Sequence, residues 1–218
     1  MNKRRKTRKL GLVAKQMMMI GLVVWLAIAI IVAIITNTRR DDMVELAGEE
    51  CVAVSTLLSS YVDADAVASA GENEDIYNTL KAQLSKAMMD AHMEYVYTLW
   101  TDGTTIYYGI DGSTEDAAEY GEESEEDYDF LAPAFAGTPV VENSLVQNAD
   151  GNYYITAYVP LTGEDGTVTS LLACDFNANH VHAKVVKAWT WLFLWATMGT
   201  LLASGSVLII LSRTVKNI

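Results

Sequence analysis

Two long apolar runs frame the chain, and neither contains a charged residue. They cover residues 17–36 and 188–211, which are 20 and 24 positions long. Because a helix needs about 20 apolar residues to cross the hydrocarbon core of a bilayer, both runs predict transmembrane helices. The first run is longer than the apolar part of a cleavable signal peptide, and no clear small-x-small cleavage site follows it. It therefore favours an uncleaved anchor.

Between these runs, the apolar positions first recur at the steps of three and four that mark one face of a helix. The first such stripe follows the first span and consists of Met43, Ala47, Cys51, Val54, Leu58 and Tyr61. No proline interrupts residues 17–65, so the first span is expected to continue as a long helical rod that Gly71 ends. A second helix is predicted over residues 73–92.

The pattern then changes to aromatic and β-branched residues, which predict strands. An Asp-Gly turn joins residues 94–100 to residues 104–110 in a first hairpin. A turn rich in Gly and Asp joins residues 152–160 to residues 167–176 in a second hairpin. Residues 140–147 predict one more strand.

The segments around these strands are short or irregular. Residues 111–129 carry ten acidic side chains among 19 positions and predict an irregular loop. Residues 130–137 predict a short helix that Pro133 limits, and residues 177–187 predict a linker. Helices followed by an antiparallel sheet predict an α+β domain with its helices on one face of the sheet. The expected fold class is therefore α+β, with a long N-terminal helix, an antiparallel sheet and two flanking transmembrane helices.

The charges divide the chain into basic ends and an acidic middle. Seven cations and no acid precede the first span, and two cations follow the second. Basic flanks stay in the cytoplasm, so residues 1–16 and 212–218 are predicted to be cytoplasmic and residues 37–187 to form one extracytoplasmic domain. That domain holds all 28 acidic residues and only six basic ones. It is poorly suited to nucleic acid, which needs a basic surface.

Motifs of catalysis are missing from the sequence. It contains no Gly-x-Ser-x-Gly, no His-Glu-x-x-His and no phosphate-binding glycine loop, so we expect neither an enzyme nor a cofactor. Cys51 and Cys174 are compatible with a disulfide or with two buried free thiols. His180 and His182 follow Asp175 closely, but a His-x-His pair beside a membrane span is expected to be incidental, and no metal site is predicted.

Four segments, in this order between two membrane spans, resemble the single-Cache (extracellular PAS-like) sensor domains of bacterial transmembrane receptors. They are "YVYTLWTDGTTIYYGIDG" (95–112), "YGEESEEDYDF" (120–130), "FAGTPVV" (135–141) and "YYITAYVPLTGEDGTVTSLLACDF" (153–176). The resemblance covers about residues 37–186 and implies a PAS-like sheet in a receptor of the methyl-accepting chemotaxis type. Residues 212–218 resemble the first residues of a HAMP linker, so we expect either a longer receptor or a separate output partner.

The same resemblance implies a ligand site. In Cache domains the carboxylate that ends the last strand commonly binds the ligand, often an amine, and in this sequence that residue is Asp175. The expected walls of the site are aromatic side chains, namely Tyr97, Trp100, Tyr108 and Tyr158. No Lys or Arg lies between Lys86 and Lys184, so an amine, a cation or a neutral metabolite fits better than a free amino acid or a dicarboxylate.

Other interpretations of these residues stay open at the level of sequence. Asp175 is also suited to capping the end of its strand, and the tyrosines are suited to half-buried packing on the sheet. The acidic loop is either a solvated charge run or a site for divalent cations, which prefer oxygen ligands.

The predicted function is that of a receptor in the lipid bilayer that binds a small extracellular ligand and signals to a cytoplasmic module in chemotaxis. The long helix is expected to form the interface of a homodimer. One alternative is the sensor of a histidine kinase or a diguanylate cyclase. Another is a non-sensing membrane protein whose acidic ectodomain binds cations or a partner.

Overall fold

The computed structural model describes residues 2–115, 117–142, 144–147 and 151–216. Helices and strands follow one another along the chain in the α-then-β order that the sequence predicts. They are α1 (Asn2–Ser59), α2 (Ala64–Ser69), a 3₁₀ helix (Ala70–Glu72), α3 (Glu74–Asp90), β1 (Met93–Thr101), β2 (Ile106–Asp111), α4 (Tyr128–Phe135), β3 (Val140–Val141), β4 (Val146–Gln147), β5 (Tyr153–Thr162), β6 (Val168–Asn177) and α5 (Asn179–Lys216).

The chain divides into two compact units. One consists of Met1–Asp41 together with Ala183–Ile218, and the other is Asp42–His182. Two helical segments, Met19–Ser59 and Asn179–Ser206, are long and apolar enough to cross a membrane by their length and composition. The predicted spans overlap these segments at residues 19–36 and 188–206.

Within the first unit, the two helices approach each other closely. The rings of Trp25 and Phe193 meet edge to face, with 6.1 Å between their centroids. A Cβ atom on Gly21 would lie 3.1 Å from Oγ of Ser204. The lack of a side chain at Gly21 therefore allows this approach.

Strand β6 lies in the middle of the sheet of the second unit. The strand order is β2–β1–β6–β5–β3, with β4 also pairing with β5, and all pairs are antiparallel. Both predicted hairpins are present as β1–β2 and β5–β6. Because side chains alternate between the two faces of a sheet, odd and even positions of β6 contact different layers of the domain.

The turn between β1 and β2 shows why the Asp-Gly pair forms a hairpin. The carboxylate of Asp102 accepts the backbone N–H groups of Thr105 and Thr104, each at 2.9 Å. These hydrogen bonds lower the pKa of Asp102 to about 2. Gly103 has a φ of 98°, a left-handed conformation that glycine adopts without steric cost.

Helices α2 and α3 and the end of α1 cover one face of the sheet. This helical face buries one apolar layer, which contains Val67, Leu80, Leu84, Val96, Ile110, Leu172 and Cys174. Helix α4 packs on the opposite face. There the apolar layer contains Leu99, Leu131, Ala134, Tyr158, Leu171 and Ala173. The α+β architecture is thus the predicted one, but helices do not cover one face alone, because α4 packs on the other.

Helix α1 ends at Ser59, which corrects the prediction of a rod that continues to Gly71. The carboxylate of Asp63 accepts the backbone N–H groups of Asp65 and Ala66, at 3.1 and 3.0 Å. It thereby caps the separate helix α2, because an aspartate satisfies the free N–H groups at a helix start. Gly71 lies farther along, in the 3₁₀ helix.

The predicted linker over residues 177–187 is also wrong, because α5 begins at Asn179. The side chain of Asn177 accepts the backbone N–H of Asn179 at 3.1 Å. Residues 179–187 contain no Gly or Pro to oppose a helix. Strand β6 therefore reaches α5 through Ala178 alone.

Three smaller predictions have mixed outcomes. The single strand predicted over residues 140–147 is two short strands, and residue 143 between them lies outside the described residues. The short helix that includes Pro133 is present as α4. Cys51 and Cys174 are both free and buried, which is the free-thiol alternative.

We predict that Leu84→Ala destabilises the unit by about 2–5 kcal/mol, because the cavity left by a buried leucine fills only partly. Leu84 is 1% exposed, whereas Met89 on the same helix is 61% exposed. The matched control Met89→Ala should change the free energy of unfolding by less than about 0.5 kcal/mol. Urea unfolding of both variants checks this, and equal losses would contradict the packing of α3 on the sheet.

Candidate functional site

Asp175 lies on the sheet face opposite α2 and α3, in the central strand. Its neighbours across the strand pairs are Tyr95 on β1 and Thr156 on β5. The side chain is 6% exposed, and its Oδ1 atom has no hydrogen-bond partner within the described part of the chain. A buried carboxyl oxygen without a partner is costly, so this position calls for an explanation beyond capping of a strand end.

Three of the four predicted aromatic walls share this face with Asp175. The rings of Tyr97 and Tyr108 are 5.6 Å apart between centroids, in a tilted arrangement. Tyr97 and Tyr158 are 8% and 1% exposed. The charge of Asp175 acts on all three phenols and raises their pKa values, although burial is the larger cause in each case.

A second carboxyl group, Glu126, completes the arrangement. The hydroxyl of Tyr158 donates a hydrogen bond of 2.8 Å to its Oε1 atom. Glu126 lies in the acidic segment just before α4, so α4 and this segment place it over the sheet. We call the group of Asp175, Tyr97, Tyr108, Tyr158 and Glu126 the Asp175 site.

Trp100, the fourth predicted wall, is not brought together with these residues. It lies three positions after Tyr97 on β1, and an odd step along a strand puts a side chain on the other face. Its ring stacks on Tyr107 at 4.5 Å between centroids. Trp100 lines a separate cavity on the helical face together with Thr98 and Gly109.

The electrostatics of the Asp175 site disfavour negative charge. Burial raises the pKa of Asp175 to about 7. A hydrogen bond from the Thr156 hydroxyl opposes this rise, whereas the nearby acids Glu126, Glu142 and Asp111 add to it. No Lys or Arg lies between residues 86 and 184, so the strands and the acidic segment of this site supply no compensating cation.

Glu126 behaves in the same way. Burial raises its pKa, the hydrogen bond from Tyr158 opposes the rise, and Glu142 adds to it. A positive charge beside these two carboxyl groups would stabilise their ionised forms, and their oxygens could accept its N–H groups.

The other candidates from the sequence do not join this site. Asp111, in the acidic segment, accepts the backbone N–H groups of Ser113 and Ala118, at 2.8 and 2.9 Å. His182 stacks on Tyr153, with 3.8 Å between ring centroids. Among the described residues, no three His, Cys, Asp or Glu side chains are grouped in a way that could hold a metal ion.

Sequence reasoning missed Glu126 and did not assign Thr156 to the site. Alternation along β5 puts Thr156 on the face of Tyr158, so this signal was available. Glu126 stands in a run of ten acids within residues 111–129, and no periodicity distinguishes it from its solvated neighbours. Its role depends on where α4 packs.

The raised pKa of Asp175 predicts a stability that falls with pH. The ordinary value is 3.8 and the value in the fold is about 7, so the folded unit keeps a proton that the unfolded chain has released. The contribution is full below about pH 4 and is lost as the pH rises to about 7. Asp175→Asn cannot ionise and should therefore become more stable than the native unit as the pH rises, by up to about 4 kcal/mol.

Urea unfolding of residues 42–182 between pH 4 and pH 8 measures this difference. Acids with lowered pKa values, such as Asp102, contribute equally to both proteins and cancel. Parallel pH profiles for the native unit and Asp175→Asn would contradict the burial of an ionisable Asp175.

Solved structures with a similar fold exist, although their sequences differ widely from this one. Neither a protein-family model nor a curated protein matches the chain. The sensor domain of the V. cholerae histidine kinase DctB matches with a TM-score of 0.54 at 10% identity, over 71% of this chain and 56% of that domain. The chain thus spans little more than half of the DctB domain.

Two further solved structures match with lower scores. The ligand-binding domain of the Campylobacter jejuni chemoreceptor Tlp3, in complex with L-valine, has a TM-score of 0.48 at 15% identity, over 76% of this chain and 67% of that one. The E. coli DcuS sensor domain has a TM-score of 0.47 at 10% identity, over 66% of this chain and 98% of that one. The likeness to DctB, together with the helix-backed antiparallel sheet, shows that Asp42–His182 has a Cache-type, PAS-like fold.

Proposed function

We propose that this chain is the input part of a transmembrane receptor whose sensor domain binds a small molecule with a cationic amine at the Asp175 site. The observation that carries the proposal is the buried Oδ1 atom of Asp175, which has no partner among the described residues. An ammonium group would provide both the missing hydrogen bond and the missing positive charge. Its binding should lower the pKa of Asp175, because an opposite charge favours the ionised form.

The surroundings of Asp175 support an amine over an amino acid. Glu126 supplies a second carboxyl group, and three phenols offer rings and hydroxyls to the rest of the ligand. A free amino acid also carries a carboxylate, which would meet two acids and no Lys or Arg from residues 87–183. The site therefore favours monoamines and polyamines without a carboxylate.

The path for a signal leads from Asp175 into α5. Asp175 stands two residues before Asn177, whose side chain caps α5 at Asn179. The backbone N–H of Ala178 donates to the carbonyl of Tyr153 at 2.7 Å, so β5 and β6 hold the start of the helix together. A ligand can shift this helix only if it binds one of its positions more tightly than the other.

The charges of the two ends support one orientation, and the output is part of the proposal. The basic segments before the first span and after the second favour cytoplasmic termini and an extracytoplasmic sensor domain. We propose a homodimer along α1 that signals in chemotaxis. The same input arrangement would serve a histidine kinase or a diguanylate cyclase.

A thermal-shift screen of residues 42–182 against amines, amino acids and divalent cations tests the amine site. We expect at least one amine to raise the melting temperature. Asp175→Asn should abolish that shift, and Glu126→Gln should weaken it. The matched control is Glu125→Gln, since Glu125 is the exposed neighbour of Glu126 and should leave the shift unchanged.

Two outcomes would overturn this function. If no amine stabilises the domain, or if Asp175→Asn keeps every shift, the Asp175 site is not the sensor. Stabilisation by Ca²⁺ or Mg²⁺ alone would favour the acidic segment as a cation-binding surface.

A further inference from the structure

A second cavity lies on the helical face of the sheet, away from the Asp175 site. Its volume is about 420 Å³, and it is lined by Val67 and Gly71 from the helices, Thr98, Trp100 and Ser170 from the strands, and Tyr120. This volume is in the range of small-molecule sites. We call it the Trp100 cavity.

Two residues that line the Trp100 cavity each have a buried polar atom without a partner within the described residues. These atoms are the indole Nε1 of Trp100 and Oγ of Ser170, and Ser170 is only 2% exposed. The hydroxyl of Thr98, another lining residue, is already used, because Thr98 Oγ1 accepts the backbone N–H of Ile110 at 2.7 Å. Buried polar groups in folded proteins nearly always have a partner, so these two atoms point to one that the protein does not provide.

Aromatic rings shape the walls of the cavity. The lining rings of Trp100 and Tyr120 lie nearly parallel, at 24°, and Tyr107, outside the lining, stacks on Trp100 at 25°. The ring of Tyr120 closes against the backbone at Gly71, where an added Cβ would lie 2.5 Å from it. Glycine at this position therefore permits the aromatic wall.

The chemistry of the walls selects the class of ligand. The indole N–H is a donor only, so the ligand must offer an acceptor, whereas the Ser170 hydroxyl can donate or accept. The charged residue among the lining side chains is Glu72, which is exposed and disfavours anions. We propose that the Trp100 cavity is a second small-molecule site, for an uncharged planar heterocycle with a carbonyl or ring-nitrogen acceptor, such as a free nucleobase.

This proposal does not depend on the amine site. Ser170 and Asp175 stand five positions apart on β6, and an odd step places their side chains on opposite faces. Substitutions at one site can therefore be made without removing a contact of the other.

The test uses the full chain in lipid nanodiscs, labelled with 5-fluorotryptophan. Trp100 is the one tryptophan between residues 42 and 182, since the others are Trp25, Trp189, Trp191 and Trp195. Its fluorine resonance is assigned with Trp100→Phe. The probes are adenine, hypoxanthine, uracil and nicotinamide, with benzoate as the anionic control.

We expect at least one probe, and not benzoate, to shift the Trp100 resonance to saturation. Ser170→Ala should weaken that binding roughly tenfold, as the loss of one hydrogen bond would. Ala68→Phe should block it, because Ala68 is an exposed residue at the cavity and its substitution spares the core. Asp175→Asn should leave the affinity unchanged.

The proposal is overturned if no probe moves the Trp100 resonance at millimolar concentration. It is equally overturned if the shift survives both Ser170→Ala and Ala68→Phe, or if Asp175→Asn abolishes it. The unperturbed fluorine spectrum of each variant reports whether the protein has kept its fold.

Discussion

The carboxyl group of Asp175 is buried on one face of the central strand. A second acid lies near it, and its surroundings supply no basic side chain. Burial raises its pKa to about 7, and one of its oxygens has no partner among the described residues. The nearby phenols stay neutral for the same reason, since burial and negative charge both raise their pKa values. We propose that a bound cation would recover the free energy that this arrangement costs the empty domain.

The alternation of side chains along β6 organises the rest of the domain. Leu172 and Cys174 pack under α2 and α3, while Leu171, Ala173 and Asp175 face the other way. The same strand therefore contributes to the core, to the Asp175 site and, through Ser170, to the Trp100 cavity. It also leads into α5 through one residue, so a change at Asp175 lies next to the start of a helix that is apolar enough to cross a membrane.

Much of this fold is predictable because local chemistry dictates it. The Asp-Gly turn, the two hairpins and the helix that starts after Asn73 follow from short-range hydrogen bonds and hydrophobic periodicity. The end of α1 is harder to predict, because only the capping role of Asp63 marks the start of the separate helix α2. The linker prediction is wrong because residues 179–187 form a helix whose first turn is fixed by strand β6 and by the asparagine cap, Asn177.

The site was predictable only in part. The resemblance singles out Asp175, and three of the four predicted aromatic residues lie on the same sheet face. Trp100 was grouped with them although its odd spacing from Tyr97 places it on the other face. Glu126 needed the tertiary packing of α4, since nothing in the acidic run marks it.

The most direct test of the amine site is the carboxyl ¹³C NMR titration of Asp175 in residues 42–182, with and without the stabilising amine. We expect a pKa of about 7 in the empty domain and a clear fall in that pKa when the amine is bound. A value near the ordinary 3.8 in the empty domain, or a raised value that the amine leaves unchanged, would contradict the amine site.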